Sequence, residues 1–371
     1  LARLLILFLS FNLLLAAENF IGYRKVLQNN PKVVAHILEF DPTNFIPFIV
    51  LGGNQSIGLE TVASMAKRNN AIAAINGGFY KTGLNLGASI GHLTMKKKPI
   101  STYNVTKGAI GWSLYSKQTL IDQIRSTCEV FVQGYKIHDL SYNEELQNKK
   151  SVLYSSEYHR STLTPPGTKE FLLDSNQQIR YLGNSGDAEI PRGSFILSLS
   201  SSYPIDIMKF NPKSYSINFC IHPMIQPEKR NLWEKSDYIM QAGPLLVKGN
   251  KIVLGINHEP IALEIGEKIQ RARTAIGTLK NGNWLIAVIE ATATTQTHGM
   301  TLHEIAKFML NQGCVDAINL DGGGSSTLVY QGQKHFSPSS IHFPFEHKNV
   351  IYMPKEGDRP VGNGIAIIKR G

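Results

Sequence analysis

Cysteine is scarce in this chain: 371 residues contain three, Cys128, Cys220 and Cys314. An odd, sparse set is no disulfide framework, and no Cys-x-x-Cys pair is present for metal binding or thiol exchange. One bridge could form in an oxidising compartment, but the spacing does not choose the pair. Cys314 follows Gly313 and precedes an apolar run, which reads as a buried structural thiol. Internal repeats and low-complexity tracts are also missing, which argues against a solenoid or fibrous protein. No Lys/Arg stripe alternates with aromatics, so nucleic acid is not expected as a partner. His298 and His303 stand five apart, not at the i, i+4 spacing of a helical metal pair. No metal set and no cofactor are expected.

What is present is basic. Lys and Arg number 38 against 28 Asp and Glu, a net charge of +10, with a pI of about 9.3. Such a balance favours anionic partners: phosphates, acidic polysaccharides or membrane surfaces. The densest run, Lys96-Lys97-Lys98 beside Pro99, reads as a solvated loop. An apolar content of 42% supports a sizeable core. The one long apolar run is N-terminal. Leu4 to Ala16 is almost wholly apolar, with Arg3 before it and Ala16-Ala17 after it. This reads as a secretory signal peptide over residues 1–17, implying a secreted or periplasmic protein. Leu14 or Leu15 fills a position where a small residue is preferred for cleavage, so a membrane tether through this segment is the alternative.

Two helices can be read from periodicity. Leu59, Val62, Ala63 and Ala66 recur at i, i+3, i+4 and i+7, with Ser56 as cap and an end near Asn69-Asn70. Leu302, Ile305, Ala306, Met309 and Leu310 form a second apolar face, opened by a Thr301/Glu304 capping box and ended by Gly313. Each helix leads into a buried strand, Ala71–Ile75 and Ala317–Leu320, and each strand ends in glycines. The run 284–290 is apolar throughout and should be a central strand. Further strands are expected at 170–173, 194–199, 326–330 and 364–369. The fold class is therefore α/β in the α+β sense: a large mixed, partly antiparallel sheet with a few flanking helices. The region 113–235 is the strand-rich middle.

The chemistry gathers at the glycine clusters. Asp321 ends a buried strand and opens Gly322-Gly323-Gly324-Ser325-Ser326. Glycines let backbone N–H groups approach a ligand, and successive free N–H groups form an anion-binding nest. Asp321 there is either an acid, base or hydroxyl acceptor, or the cap of its own turn. Asn76-Gly77-Gly78-Phe79-Tyr80 has the same layout, with Asn76 able to bind a sugar or phosphate oxygen and the aromatics able to pack on a sugar face. Arg271 and Arg273 share one face of a strand by alternation. Arg273 abuts the apolar segment and is the preferred phosphate ligand. Glu290, at the end of the central run, is a candidate acid. Glu304 is another, with helix capping as its competing role. Gly243 in Gln241-Ala242-Gly243-Pro244, and Arg359 and Asn363 in Arg359-Pro360-Val361-Gly362-Asn363, complete the set.

In this order, the blocks at Ile75–Phe79, Ala242–Leu246, Arg273–Gly277, Gly299–Glu304, Asn319–Thr327 and Arg359–Asn363 resemble the phosphodiester glycosidase family, some of whose bacterial members are described as exopolysaccharide biosynthesis proteins. The resemblance runs over roughly residues 30–371, and residues 18–371 are read as one domain. It implies hydrolysis of a sugar-1-phosphodiester, N-acetylglucosamine-containing substrates among them, in cell-surface or exopolysaccharide metabolism. By that analogy Asn76, Arg273, Asp321, Ser325, Ser326, Arg359 and Asn363 line the site together with Glu304, and the catalytic candidates are Asp321 with Glu290 or Glu304 in support. Asn76, Gly77, Gly78, Phe79, Gly243, Arg273, Thr274, Gly322, Gly323, Gly324, Ser325, Ser326, Arg359 and Asn363 would bind a phosphorylated sugar or glycan. Family members carry an acid followed by glycine where this chain has Glu290-Ala291-Thr292, a departure that bears on substrate identity more than on reaction type. The rival reading is a non-catalytic secreted binding protein for anionic polysaccharide.

Overall fold

The computed structural model describes residues 21–29, 32–114, 116–147, 149–204, 214–259, 269–292, 296–337 and 358–371. The segment read as a signal peptide lies outside these residues. The chain is richer in strand than the expected α/β mixture. In place of one large mixed sheet, the described residues form four main sheets, and all but one of their strand pairings are antiparallel. The exception joins Leu140–Tyr142 to Ser151–Ser155 in parallel.

Three of these sheets enclose the largest core. The first runs Gly22–Asn29, Lys32–Phe40, Trp284–Ile289, Arg273–Leu279, Cys314–Asn319, Leu245–Lys248 and Lys251–Ile252. The second is built on Thr119–Val132, Lys107–Trp112 and Tyr238–Gln241. The third holds Leu328–Tyr330, Ala73–Asn76, Asn363–Lys369 and Phe45–Leu51. Their inner faces bring Ile276, Ile286, Ile318, Ile110, Met240, Ile75 and Ile365 into one cluster. Burying two tryptophans there leaves two indole N–H groups that need acceptors. Trp112 donates to the Pro47 carbonyl at 2.9 Å and Trp284 to Thr119 Oγ1 at 2.8 Å. These bonds tie the second sheet to the third and the first to the second.

Each of the three sheets is backed by one short helix. Helix α1, Val62–Arg68, packs Val62, Met65 and Ala66 on the outer face of the third sheet. Its cap is Thr61, whose side chain accepts from the Ser64 amide, rather than the expected Ser56, which bonds instead to the Glu157 carbonyl. Helix α2, Arg230–Lys235, sets Trp233 against the second sheet. Helix α3, Leu302–Asn311, covers the first sheet with Leu302, Ile305, Ala306 and Met309. It carries the complete Thr301/Glu304 capping box. Sandwiched between α3 and the core, Trp284–Ile289 is buried on both faces. Its unbroken apolar run follows from that double cover, although its neighbours are antiparallel.

The fourth sheet, residues 140–199, packs its own core against the far part of Thr119–Val132. The Lys96–Lys98 run turns the hairpin between Leu93–Met95 and Lys98–Ser101, with Lys96 and Lys97 at φ 50° and 65°. Both positive angles match the turn type that fits hairpin twist. Cys314 is fully buried, and burial pushes its thiol up to about 12, so it is an inert packing residue.

The α3 cap gives a direct test of this local reading. Thr301→Ala should lower stability by about 1 kcal/mol, read as a shift of the urea midpoint with unchanged slope. An unchanged midpoint would contradict the capping role.

Candidate active site

The polar residues singled out in sequence lie at neighbouring strand ends. Arg273 begins its strand, and Asn319 ends the adjacent one, with Ala275 opposite Asn319. Asn76 ends the strand Ala73–Asn76, and Asn363 begins the strand beside it, with Gly364 opposite Asn76. The two sheets are stitched together here by the Asn76 amide. Its Nδ2 donates to the Asp321 carbonyl at 2.7 Å; its Oδ1 accepts Thr274 Oγ1 at 2.8 Å and the Thr327 amide at 3.1 Å.

Exposure divides the expected site residues into a frame and a mouth. Asn76, Gly77, Gly78, Gly243, Arg273, Thr274, Gly324, Ser325, Ser326 and Asn363 are buried. Phe79, Tyr80, Arg271, Asp321, Gly322, Gly323 and Arg359 keep surface open to solvent. For much of the frame, the expectation of a ligand contact gives way to a structural role. Asn76 and Thr274 have no exposed surface, and their polar atoms hold each other. Asn363 Oδ1 accepts the Gly78 amide at 2.8 Å, and its carbonyl accepts Gly77 N. A Cβ at Gly77 would collide with that Oδ1, so glycine there serves the joint between strands. Gly243 exchanges backbone and side-chain bonds with Asn319 and precedes a cis proline. Ser326 is fully buried behind the turn.

Arg273, the preferred phosphate ligand, is also turned inward. Nε donates to the Met300 carbonyl at 2.8 Å and Nη2 to the Ile269 carbonyl at 2.9 Å. Burial, reinforced by Arg271, lowers its guanidinium to about 10. It anchors the segment ahead of α3. Arg271, two residues earlier, keeps the open surface. Alternation had put both arginines on one face, and nothing in the pattern could tell which would meet backbone carbonyls.

Asp321 sits at the centre of the mouth. Burial pushes its carboxyl from an ordinary 3.8 up to about 6, against the opposing pull of Ser325, the Gly322 amide, Arg359 and Arg271. The Gly322 amide donates to Asp321 Oδ1 at 2.9 Å, so the aspartate does cap its own turn while facing two guanidinium groups. Ser325 acts on both groups, favouring the charged forms of Asp321 and of the Tyr80 phenol. Tyr80 donates to the Pro360 carbonyl at 3.1 Å. Burial, followed by the Asp321 charge, raises its pKa, so it stays neutral. Arg359 lies flat on the turn: a Cβ at Gly324 would come within 2.5 Å of the Arg359 Cζ. Any side chain at 324 would displace the guanidinium.

The expected nest of successive free amides is mostly engaged by protein. Gly323 N donates to Ala272, Ser325 N to Gly322 and Ser326 N to Gly323. Among the described residues, the Gly324 N–H is the donor of the turn left for a ligand.

Neither of the other expected acids joins Asp321. Glu304 Oε2 accepts the Thr301 amide at 2.7 Å. Burial is the largest single influence on it and acts upward, but the bonds from Thr301 and Gln270 together hold it below the ordinary value. It is an ionised helix cap. Glu290 Oε1 meets His36 Nε2 at 2.7 Å, and His36 Nδ1 meets the Tyr23 hydroxyl at 2.9 Å. Burial outweighs Glu290 in lowering the His36 pKa. This chain of bonds ties the first two strands to the central one. Tyr80 and Arg271, singled out in sequence beside Phe79 and Arg273 but not counted among the binding residues, both lie at the mouth.

Residues 215–368 match the family model for phosphodiester glycosidase. Over 68 residues the chain is 46% identical to N-acetylglucosamine-1-phosphodiester alpha-N-acetylglucosaminidase of Homo sapiens, a stretch covering 18% of this chain and 13% of that protein. It is 26% identical over 238 residues to uncharacterized protein RC0079 of Rickettsia conorii, covering 61% of this chain and 77% of that one. A hypothetical protein from Synechocystis has the same fold, with a TM-score of 0.72 at 20% identity over 94% of this chain and 61% of that chain. The chain thus spans a small part of the human relative's length.

Two measurements test the site's electrostatics. The folded state holds the Asp321 proton more tightly than the unfolded chain does. That contribution to stability is complete below about pH 4 and is lost as pH rises through about 6. Asp321→Asn should remove this decline from urea-midpoint profiles, whereas an unaltered profile would show that the group is not perturbed. Glu304→Gln should weaken the cap and remove the stability that ionised Glu304 contributes and that is lost as pH falls through its lowered pKa, while the decline through about pH 6 set by Asp321 should persist.

Proposed function

We propose, because residues 215–368 match the family model for phosphodiester glycosidase, that the chain hydrolyses the bond between a sugar's anomeric carbon and a phosphodiester oxygen. The products are free sugar and a phosphomonoester. The observation that carries this reading is one carboxylate, Asp321, under the charge of two arginines, Arg271 and Arg359, at a solvent-open glycine turn.

The division of labour follows from charge. Arg271, Arg359 and the Gly324 N–H neutralise the non-bridging phosphate oxygens. When the C–O bond breaks, its electron pair passes to the bridging oxygen. A phosphomonoester has a second pKa of about 6, so it leaves at neutral pH without being handed a proton. A strong general acid is therefore not required, which suits a site where Glu304 and Glu290 are engaged elsewhere. Water supplies the new oxygen at the anomeric carbon and Asp321 takes its proton, or Asp321 attacks first and water releases the sugar. Phe79 and Tyr80 line the mouth for the sugar ring. The name of the human relative makes N-acetylglucosamine the first sugar to try. The basic balance of the chain and its apolar N-terminal segment support an anionic cell-surface or exopolysaccharide substrate met outside the cytoplasm, with or without a membrane tether.

Incubation with a panel of sugar-1-phosphodiesters in ¹⁸O-labelled water should put the label on the sugar, not on the phosphate. Asp321→Asn should cut turnover by about 10²–10⁴-fold. Because the ionised carboxylate is the working form, kcat/KM should fall as pH drops through about 6. Polysaccharide binding that survives Asp321→Asn, with no sugar released by the native chain, would favour the binding-protein reading instead.

A further inference from the structure

Among the described residues, Lys107 is a cation without an acidic partner at the edge of this mouth. It begins the strand Lys107–Trp112 and is half-buried. Its Nζ lies 5.1 Å from the Phe79 ring centroid and 5.6 Å from that of Tyr103. Among the described residues it makes no ion pair within 4.0 Å. The acid whose charge acts on it is Glu259, whose oxygens are already taken by Gly108 N, Leu245 N and Gln123 Nε2 at 2.6, 3.0 and 2.8 Å. Two ring faces attract an ammonium but accept none of its three N–H donors as an oxygen would. Holding such a charge half out of water favours an incoming anion.

Two connections fix its place. The Gly108 carbonyl accepts Ala242 N, which puts Lys107 across from Gly243, and Gly243 N donates to Asn319 O, two residues before Asp321. Phe79 stands two residues after Gly77, whose carbonyl receives the Asp321 amide at 3.1 Å. The cations acting on Asp321 are Arg359 and Arg271, so Lys107 marks a separate locus. Beyond it, Tyr103 borders a cavity of about 440 Å³ whose Lys136 and Lys149 are paired with Glu129 and Glu144.

We propose that Lys107 binds a second acidic group of the substrate, a phosphoryl or carboxylate on the aglycone, distinct from the phosphodiester that is cleaved. This rests on the reading of Asp321 given above. The aglycone runs past Phe79 toward Tyr103, and Lys107 acts as a positioning residue between these two rings.

The test compares three N-acetylglucosamine-1-phosphodiesters: one with a methyl aglycone, one ending in phosphate and one ending in carboxylate. Lys107→Met keeps the aliphatic stem and removes the charge. It should raise KM about tenfold or more for the doubly acidic substrates, the scale of a lost charge-assisted hydrogen bond. The value of kcat and the methyl substrate should be unaffected, and Lys107→Arg should restore KM. The responding arm identifies phosphoryl or carboxylate. Equal damage to the methyl substrate would overturn the proposal by assigning Lys107 to the scissile group, and no change on any substrate would overturn it outright. If the native chain cleaves none of the three, the Asp321 reading fails first. Calorimetric titration with inorganic phosphate then decides separately: loss of one phosphate site in Lys107→Met supports the locus, and an unchanged site count sinks it.

Discussion

Asn76 carries a side-chain amide with no surface exposed to solvent, and three bonds from it reach the Asp321 carbonyl, the Thr274 hydroxyl and the Thr327 amide. A buried amide has no water to fall back on, so each of these bonds is expensive to leave unmade. They join the end of one sheet to the end of another and set the backbone on both sides of the glycine turn. Thr274 brings the strand that follows Arg271, and Thr327 brings the chain after Ser326. The mouth residues, which touch solvent, depend on this one internal knot for their relative positions.

The electrostatics follow from the same arrangement. With its backbone held, Asp321 projects into a floor where burial resists ionisation while Arg271 and Arg359 encourage it. The outcome, near 6, leaves the carboxyl mostly charged at neutral pH yet basic enough to take a proton. Ser325 also favours the ionised form of Asp321, and the missing side chain at Gly324 gives Arg359 its seat. Each group's role is set by what lies behind it.

Local signals in the chain were legible. The Thr301/Glu304 pair, the double-faced run at 284–289 and the glycine clusters after Asn76 and Asp321 all declared themselves through short-range chemistry. Long-range partnership did not. Asn76, Thr274 and Arg273 have the same residue types a ligand site would use, and only the fold reveals that their partners are one another or backbone carbonyls. The division into several antiparallel sheets was equally hidden, because an apolar run records burial on both faces but not strand direction. Ser56 and Thr61 are both good helix caps by type. The α1 start was decided by which of them met the Glu157 carbonyl from a distant loop.

The strand Asn363–Lys369 lies between Ala73–Asn76 and Phe45–Leu51, not at an edge. The Gly78–Asn363 bond spans 285 residues of sequence. Loop-closure entropy grows slowly with such a span, but contacts of this range slow folding and come after local ones. Until this strand inserts, Ala73–Asn76 has an open flank and Arg359 has no platform. The order of assembly therefore keeps the site from forming on a partly folded chain: the helices and hairpins can be in place while the turn at Asp321 still lacks one of its cations.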